Sequence, residues 1–126
     1  GSPKIVSIMS SFRNLVVYVK SRELVQQVYK IAKTFPEDEK FILGSQIRRA
    51  AISITSNIAE GMGRKTSKDQ LHFLHIAYGS LLEVTAQLDL ALDFGYINQE
   101  CHDSINRLID EISKMLSAMC SIRTCK

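Results

Sequence analysis

Glu60 sits at the end of a helical stretch, one residue before Gly61, where a carboxylate needs compensation. The negative end of the helix macrodipole disfavours it there by about 0.3 to 1 kcal/mol. Arg64 and Lys65, just past the glycines, are the natural compensating cations, so Glu60 reads as half of a salt bridge fixing the helix end. Acid–base or metal duty would require a partner carboxylate at a recognisable spacing, and none stands beside it. His72 and His75 are three residues apart and can share a helix face, the geometry of a two-histidine metal site. No HExxH or Glu-x-x-His pattern supplies further ligands, so the pair reads as polar or interface histidines. Cys101, Cys120 and Cys125 form no CxxC pair and no Cys–His or Ser–His signature. No catalytic, metal or cofactor-binding residue is assigned, and the chain reads as a non-enzyme.

The most informative segment is QIRRAAISITSNIAEGMG, residues 46–63. At about 100° per residue, Leu43, Ile47, Ala50, Ala51, Ile54 and Ile58 fall on one helix face, and Arg49, Ser53, Ser56 and Glu60 fall on the neighbouring one. Asn57 borders the apolar face. A half-buried guanidinium at Arg49 would require a carboxylate, and Glu83 on the following helix is the expected partner. Gln46, Arg49, Ser53, Asn57, Glu60 and Glu83 together are expected to form a structural polar network. It would set helix register, because an arginine cannot be deprotonated to act as a base.

Lys20, Lys30, Lys33, Arg48, Arg64, Lys65 and Lys68 could follow a phosphate backbone. No aromatic residues are interleaved with them as in a base-stacking platform, and no helix-turn-helix or zinc-finger pattern is present. The net charge is only +3, yet unevenly distributed. Residues 1–35 carry a net +5 and residues 71–113 a net −6. A basic half could meet phosphate, or the acidic half of a neighbouring copy in a head-to-tail ring.

The elements that must position these residues are helices. Leu15, Val19, Leu24, Val28 and Ile31 predict one from about Asn14 to Thr34, stopped by Phe35-Pro36. Pro36 suits the first turn of a second, continuing through Leu43 and Ile58, with Glu37, Asp38 and Glu39 complementing its positive end. Gly61 and Gly63 end it, as residues suited to the left-handed conformation. Ser67 with Gln70 resembles a capping box for a third helix carrying Leu71, Leu74, Tyr78, Leu81, Leu82, Thr85, Leu88 and Leu92, closed by Gly95. Asn98 can cap a fourth, with Ile105, Leu108, Ile112, Met115 and Met119 inward. Strand signals are missing, and the loops are short. The expected fold is therefore all-α, an antiparallel up-down-up-down four-helix bundle.

Gly61 and Gly79 are read as helix-packing glycines. Gly79-Ser80, with Ala77, makes a small-residue notch in the middle of the third helix, where glycine costs about 1 kcal/mol relative to alanine. Phe73, Ile76, Val84, Leu90 and Phe94 lie off that helix's main stripe, more apolar surface than one bundle contact needs. That surplus predicts self-association.

Hydrophobic content of 45% with 23% charged residues fits one ordered domain, placed at residues 12–126. Residues 1–11 are a tail, in which Gly1-Ser2 reads as a cloning scar. No apolar run approaches the roughly 20 residues of a membrane span, so no membrane partner is expected and the cytoplasm is the default compartment, with the cysteines reduced.

The segments FRNLVVYVKSRELVQQVY, TFPEDEKFILGSQIRRAAISITSNIAEGMGR and FLHIAYGSLLEVTAQLDLALDFGYI resemble the bacterial four-helix-bundle family of 23S rRNA intervening-sequence proteins. The likeness extends from about Phe12 to Met119. Its most specific part is the block from Gln46-x-x-Arg49-Ala50 to Asn57-Ile58-Ala59-Glu60-Gly61. The resemblance implies a bundle that assembles into a ring, often a pentamer, of largely unassigned function. A similar fold appears in the accessory protein of diversity-generating retroelements, which looks like a basic pentamer that binds nucleic acid and a reverse transcriptase. The expected function is a non-enzymatic homo-oligomeric binding module, associated with RNA or DNA or with a nucleic-acid enzyme. The alternative is a structural or regulatory protein–protein adaptor without nucleic-acid contact.

Overall fold

The computed structural model describes residues 13–124; the assigned tail, Phe12 and Cys125 lie outside that range. The helices are α1 (Val16–Ala32), α2 (Glu37–Lys40), α3 (Leu43–Met62), α4 (Ser67–Asp93) and α5 (Gln99–Thr124). Among the described residues there is no strand. α1 packs on α3 and α5, and α4 packs on the same two, so the four long helices close a square with α1 diagonal to α4.

Cross-helix contacts set the directions. Ser21 meets Thr55 and Tyr29 meets Arg48 between α1 and α3. Ser53 meets Ser80, and Gly61 lies against Phe73, between α3 and α4. Asp89 with His102 and Gln70 with Arg123 do the same for α4 and α5. In every pair one number rises as the other falls, so the neighbours are antiparallel, as the short loops require.

The core stripe expected on α3 is buried throughout: Leu43, Ile47, Ala50, Ala51, Ile54 and Ile58. On α1, Leu24, Val28 and Ile31 are buried as expected, but the first turns differ. Val17 and Ser21 face inward while Val19 is 49% exposed. Burying Ser21 is tolerable because its hydroxyl donates to the Tyr18 carbonyl at 2.8 Å and accepts from Thr55 at 3.2 Å. On α4, Val84 is buried and Leu82 is 57% exposed, the reverse of the expectation. A helix apolar nearly all round fits several phases equally well, and packing between α3 and α5 selects one.

Three termini depart from the sequence reading. The second helix is interrupted at Phe41-Ile42, giving α2 and α3. The Arg48 guanidinium donates to the Lys40 carbonyl at 3.3 Å, partnering the carbonyl at the end of α2. The cap of α4 is Thr66, whose hydroxyl accepts from the Asp69 amide at 3.1 Å, while the Gln70 side chain donates to the Arg64 carbonyl. No capping box therefore forms at Ser67. Gly63 is right-handed, and among the described residues only Gly95 has a positive φ, at 76°. Gly95 closes α4 as expected, with the Tyr96 amide donating to the Ala91 carbonyl at 2.8 Å. Asn98 caps α5 as expected, accepting from the Cys101 amide at 2.8 Å.

Candidate binding surfaces of the bundle

The polar side chains of α3 separate into two sets once α3 is wedged between α1 and α4. Ser53 turns towards α4 and is joined to Ser80 at 2.8 Å, while the Asn57 amide donates to the Ser53 hydroxyl at 3.1 Å and to the Ser53 carbonyl at 2.8 Å. Ser56 turns the other way, lining a groove of about 230 Å³ with Arg22, Gln26 and Ile52. Gln46, Arg49, Ser53, Ser80 and Glu83 line a separate cleft of about 510 Å³ between α3 and α4.

The expected Arg49–Glu83 ion pair is not made. Both side chains are exposed and border the same cleft without coming within salt-bridge distance. An exposed guanidinium needs no protein partner, because water solvates it, so nothing draws the two across the gap. Glu83 instead accepts from Gln87 at 3.4 Å. Glu60 pairs with Arg64 at 3.0 Å, the helix-end salt bridge the sequence predicts. Arg64 also lies 4.6 Å from the centroid of the Phe73 ring. Four of the six expected network residues thus fall into three smaller groups, Ser53 with Asn57 and Ser80, Glu60 with Arg64, and Glu83 with Gln87, while Gln46 and Arg49 line the cleft and join none of them.

The two glycines differ. A Cβ on Gly61 would stand 3.3 Å from the Phe73 Cβ and 3.4 Å from the Gln70 carbonyl oxygen, so Gly61 is the close-packing glycine of the α3–α4 crossing. A Cβ on Gly79 would meet nothing within 4 Å, so among the described residues no helix uses that notch. Gly79 opens instead onto a groove of about 640 Å³ between α4 and α5, with His75, Tyr78, Leu82, Cys120 and Ser121 around it.

Of the basic candidates, Lys20 forms a salt bridge with Glu111 of α5. That hydrogen bond holds the Lys20 ammonium above the ordinary lysine range, against the opposing pull of desolvation. Arg48 is half-buried between the Lys40 carbonyl and the Tyr29 ring. Lys30, Lys33, Lys65 and Lys68 are exposed, but they do not form one surface. Lys30 and Lys33 lie at the end of the bundle that also holds Glu37, Asp38, Asp93 and Glu100. Lys65 and Lys68 lie at the opposite end, one length of α3 away, about 30 Å at 1.5 Å per residue. Charge is therefore polarised along the bundle axis rather than between the two segments of the sequence, with Arg64, Lys65, Lys68 and Arg123 at the basic pole, opposite the end that holds Lys30 and Lys33.

His72 packs edge-on against Phe73, with ring centroids 5.0 Å apart, and among the described residues no group of three His, Cys, Asp or Glu could hold a metal. One polar cluster was missed. His102 Nε2 lies 2.8 Å from Asp89, and the Asn106 side chain donates to the His102 carbonyl at 3.0 Å, tying α4 to α5. Asp89 and His102 are 13 residues apart on different helices, so no spacing rule joins them. Burial pushes the thiols of Cys101 and Cys120 above the usual range. Among the described residues no helix is long and apolar enough to cross a membrane.

The profile of the 23S rRNA-intervening sequence protein family matches residues 13–118. A solved structure from Bacteroides thetaiotaomicron VPI-5482, described as a protein of unknown function from the S23 ribosomal protein family, superposes with a TM-score of 0.78 at 31% identity. The match covers 83% of this chain and 98% of that one. No curated protein matches.

Proposed function

Because the chain belongs to the family of 23S rRNA-intervening sequence proteins, we propose that it is a non-enzymatic module whose copies assemble into a closed ring, a pentamer in the expected form, and carry a basic pole for nucleic acid. The observation that carries this reading is the placement of two partly apolar grooves on opposite edges of the square. One lies between α1 and α3, with Val25 and Ile52 in its wall; the other lies between α4 and α5, with Tyr78, Gly79 and Leu82. Two different faces on opposite edges are what a heterologous, ring-closing contact needs, whereas a two-fold dimer would need only one. Exposed Val19 on α1 and Leu82 on α4 extend these faces.

Nucleic-acid contact in this reading is a property of the assembly. A single subunit offers Lys65 and Lys68 at its basic end, too few charges to hold a backbone at physiological salt. Repeated around a ring with parallel axes, the same pair forms a continuous basic rim.

Size-exclusion chromatography with light scattering, and a salt titration of RNA and DNA binding, test both parts. Ile52→Lys blocks one groove and Leu82→Lys the other, so each variant alone should be monomeric. Mixed, the two should give a dimer and nothing larger, since one good face survives on each. A chain that stays monomeric at micromolar concentration removes the ring. A ring that binds no nucleic acid at low salt, but retains a protein partner after nuclease treatment, leaves the adaptor in its place.

A further inference from the structure

The α3–α4 cleft occupies an edge that the proposed ring leaves uncovered, and its polar groups do not satisfy one another. Arg49 and Glu83 bring opposite charges to one cleft of about 510 Å³ and make no ion pair across it. Below them Ser53 and Ser80 share one hydrogen bond of 2.8 Å, and Ser53 accepts a second from Asn57 at 3.1 Å. Two hydroxyls with one bond between them retain one proton that has no acceptor among the described residues. Because Ser80 donates in that bond, the remaining proton is that of Ser53, whose half-buried hydroxyl lines the cleft. Gln87, one turn beyond Glu83, donates to its carboxylate at 3.4 Å while its own buried carbonyl oxygen has no partner among the described residues.

We infer that this cleft binds a small zwitterion, its carboxylate meeting Arg49 and the Ser53–Ser80 hydroxyls, its ammonium meeting Glu83. The volume is that of a small-molecule site. Each simpler ligand class leaves something unpaired. A phosphate backbone would be repelled by Glu83, and a simple cation by Arg49. An apolar ligand would desolvate both charges and the hydroxyl pair without replacing their hydrogen bonds with water. A zwitterion supplies an acceptor on the arginine side and a donor on the glutamate side at once. Ala50, between Arg49 and Ser53, leaves the cleft open rather than filling it. The site belongs to a single bundle and does not depend on ring formation.

The test uses the full chain, isotope-labelled, with amide chemical shifts as readout. The probes are glycine, β-alanine and γ-aminobutyrate, a series of increasing charge separation, with acetate and methylamine as single-charge controls. One member of the series should shift the amides around Arg49, Ser53, Ser80 and Glu83 saturably, with both controls inert. Arg49→Gln and Glu83→Gln should each weaken that zwitterion about tenfold or more while leaving circular dichroism unchanged, since neither side chain is buried or tied into the core. Absence of a saturable shift at millimolar probe overturns the inference, as does acetate binding as tightly as the zwitterions. A change in assembly mass on either substitution also overturns it, because the cleft would then be part of a subunit interface.

Discussion

Gly79 discriminates most sharply between an isolated bundle and a ring. It lies in the interior of α4, where exchanging glycine for alanine gains about 1 kcal/mol of helix propensity. Nothing among the described residues opposes the change, since a Cβ there meets no atom within 4 Å. With an unfolding entropy of about 2.1 cal/mol/K per residue, 1 kcal/mol raises Tm by about 4 °C in a domain of this size. Gly79→Ala measured at a concentration where the protein is dissociated should show that rise. Gly79→Leu projects a larger side chain into the groove of about 640 Å³ without touching the core, so the isolated subunit should tolerate it. In the ring, both substitutions keep a neighbouring helix away from α4, so the assembly should weaken, Leu more than Ala. The assay is thermal denaturation over a range of protein concentrations with sedimentation in parallel, because binding makes Tm concentration-dependent. If Gly79→Ala lowers Tm in the dissociated subunit, the notch is packed within the chain and the groove is misread. If Gly79→Leu leaves assembly unchanged, the α4–α5 edge is not a subunit contact.

Gly61 should behave in the opposite way, with Gly61→Leu destabilising the bundle by about 1 to 3 kcal/mol in a denaturant titration, because the Phe73 Cβ 3.3 Å away is fixed to backbone. Asn98→Ala removes the α5 cap and should cost about 0.5 to 2 kcal/mol by the same measurement. Lys20→Met breaks the tie from α1 to Glu111. Since that tie raises the Lys20 value, its contribution is complete below the ordinary lysine range and lost as pH climbs through the raised one. The melting difference from wild type should therefore stay constant through neutral pH and shrink only in strong alkali. Cys101 and Cys120 should alkylate more slowly than a free cysteine at mildly alkaline pH, read by peptide mass spectrometry, because burial keeps thiolate scarce. Lys65→Gln with Lys68→Gln should lower the logarithmic salt slope of any RNA binding by roughly 2 per engaged subunit.

The sequence by itself determined the helices, their order and the α3 core face, because those depend on local signals: helical periodicity, Pro36, Gly95, the Asn98 cap and short loops. It also indicated a salt bridge from Glu60 to a cation just past the glycines, which Arg64 makes, because a separation of four residues across the end of α3 keeps the two within reach. Only the tertiary structure decided whatever spans two helices. Which faces of the nearly all-apolar α4 are covered followed from its two neighbours, so Val84 went in and Leu82 out. The Arg49–Glu83 pair failed and the Asp89–His102 contact appeared because interhelical register decides such contacts, and one helical turn of slip moves a side chain by about 5.4 Å. The basic residues, scattered in the sequence, were divided between two poles by the antiparallel course of the chain. Period and spacing set how each helix presents its own side chains, but distances between helices exist only once the bundle has closed.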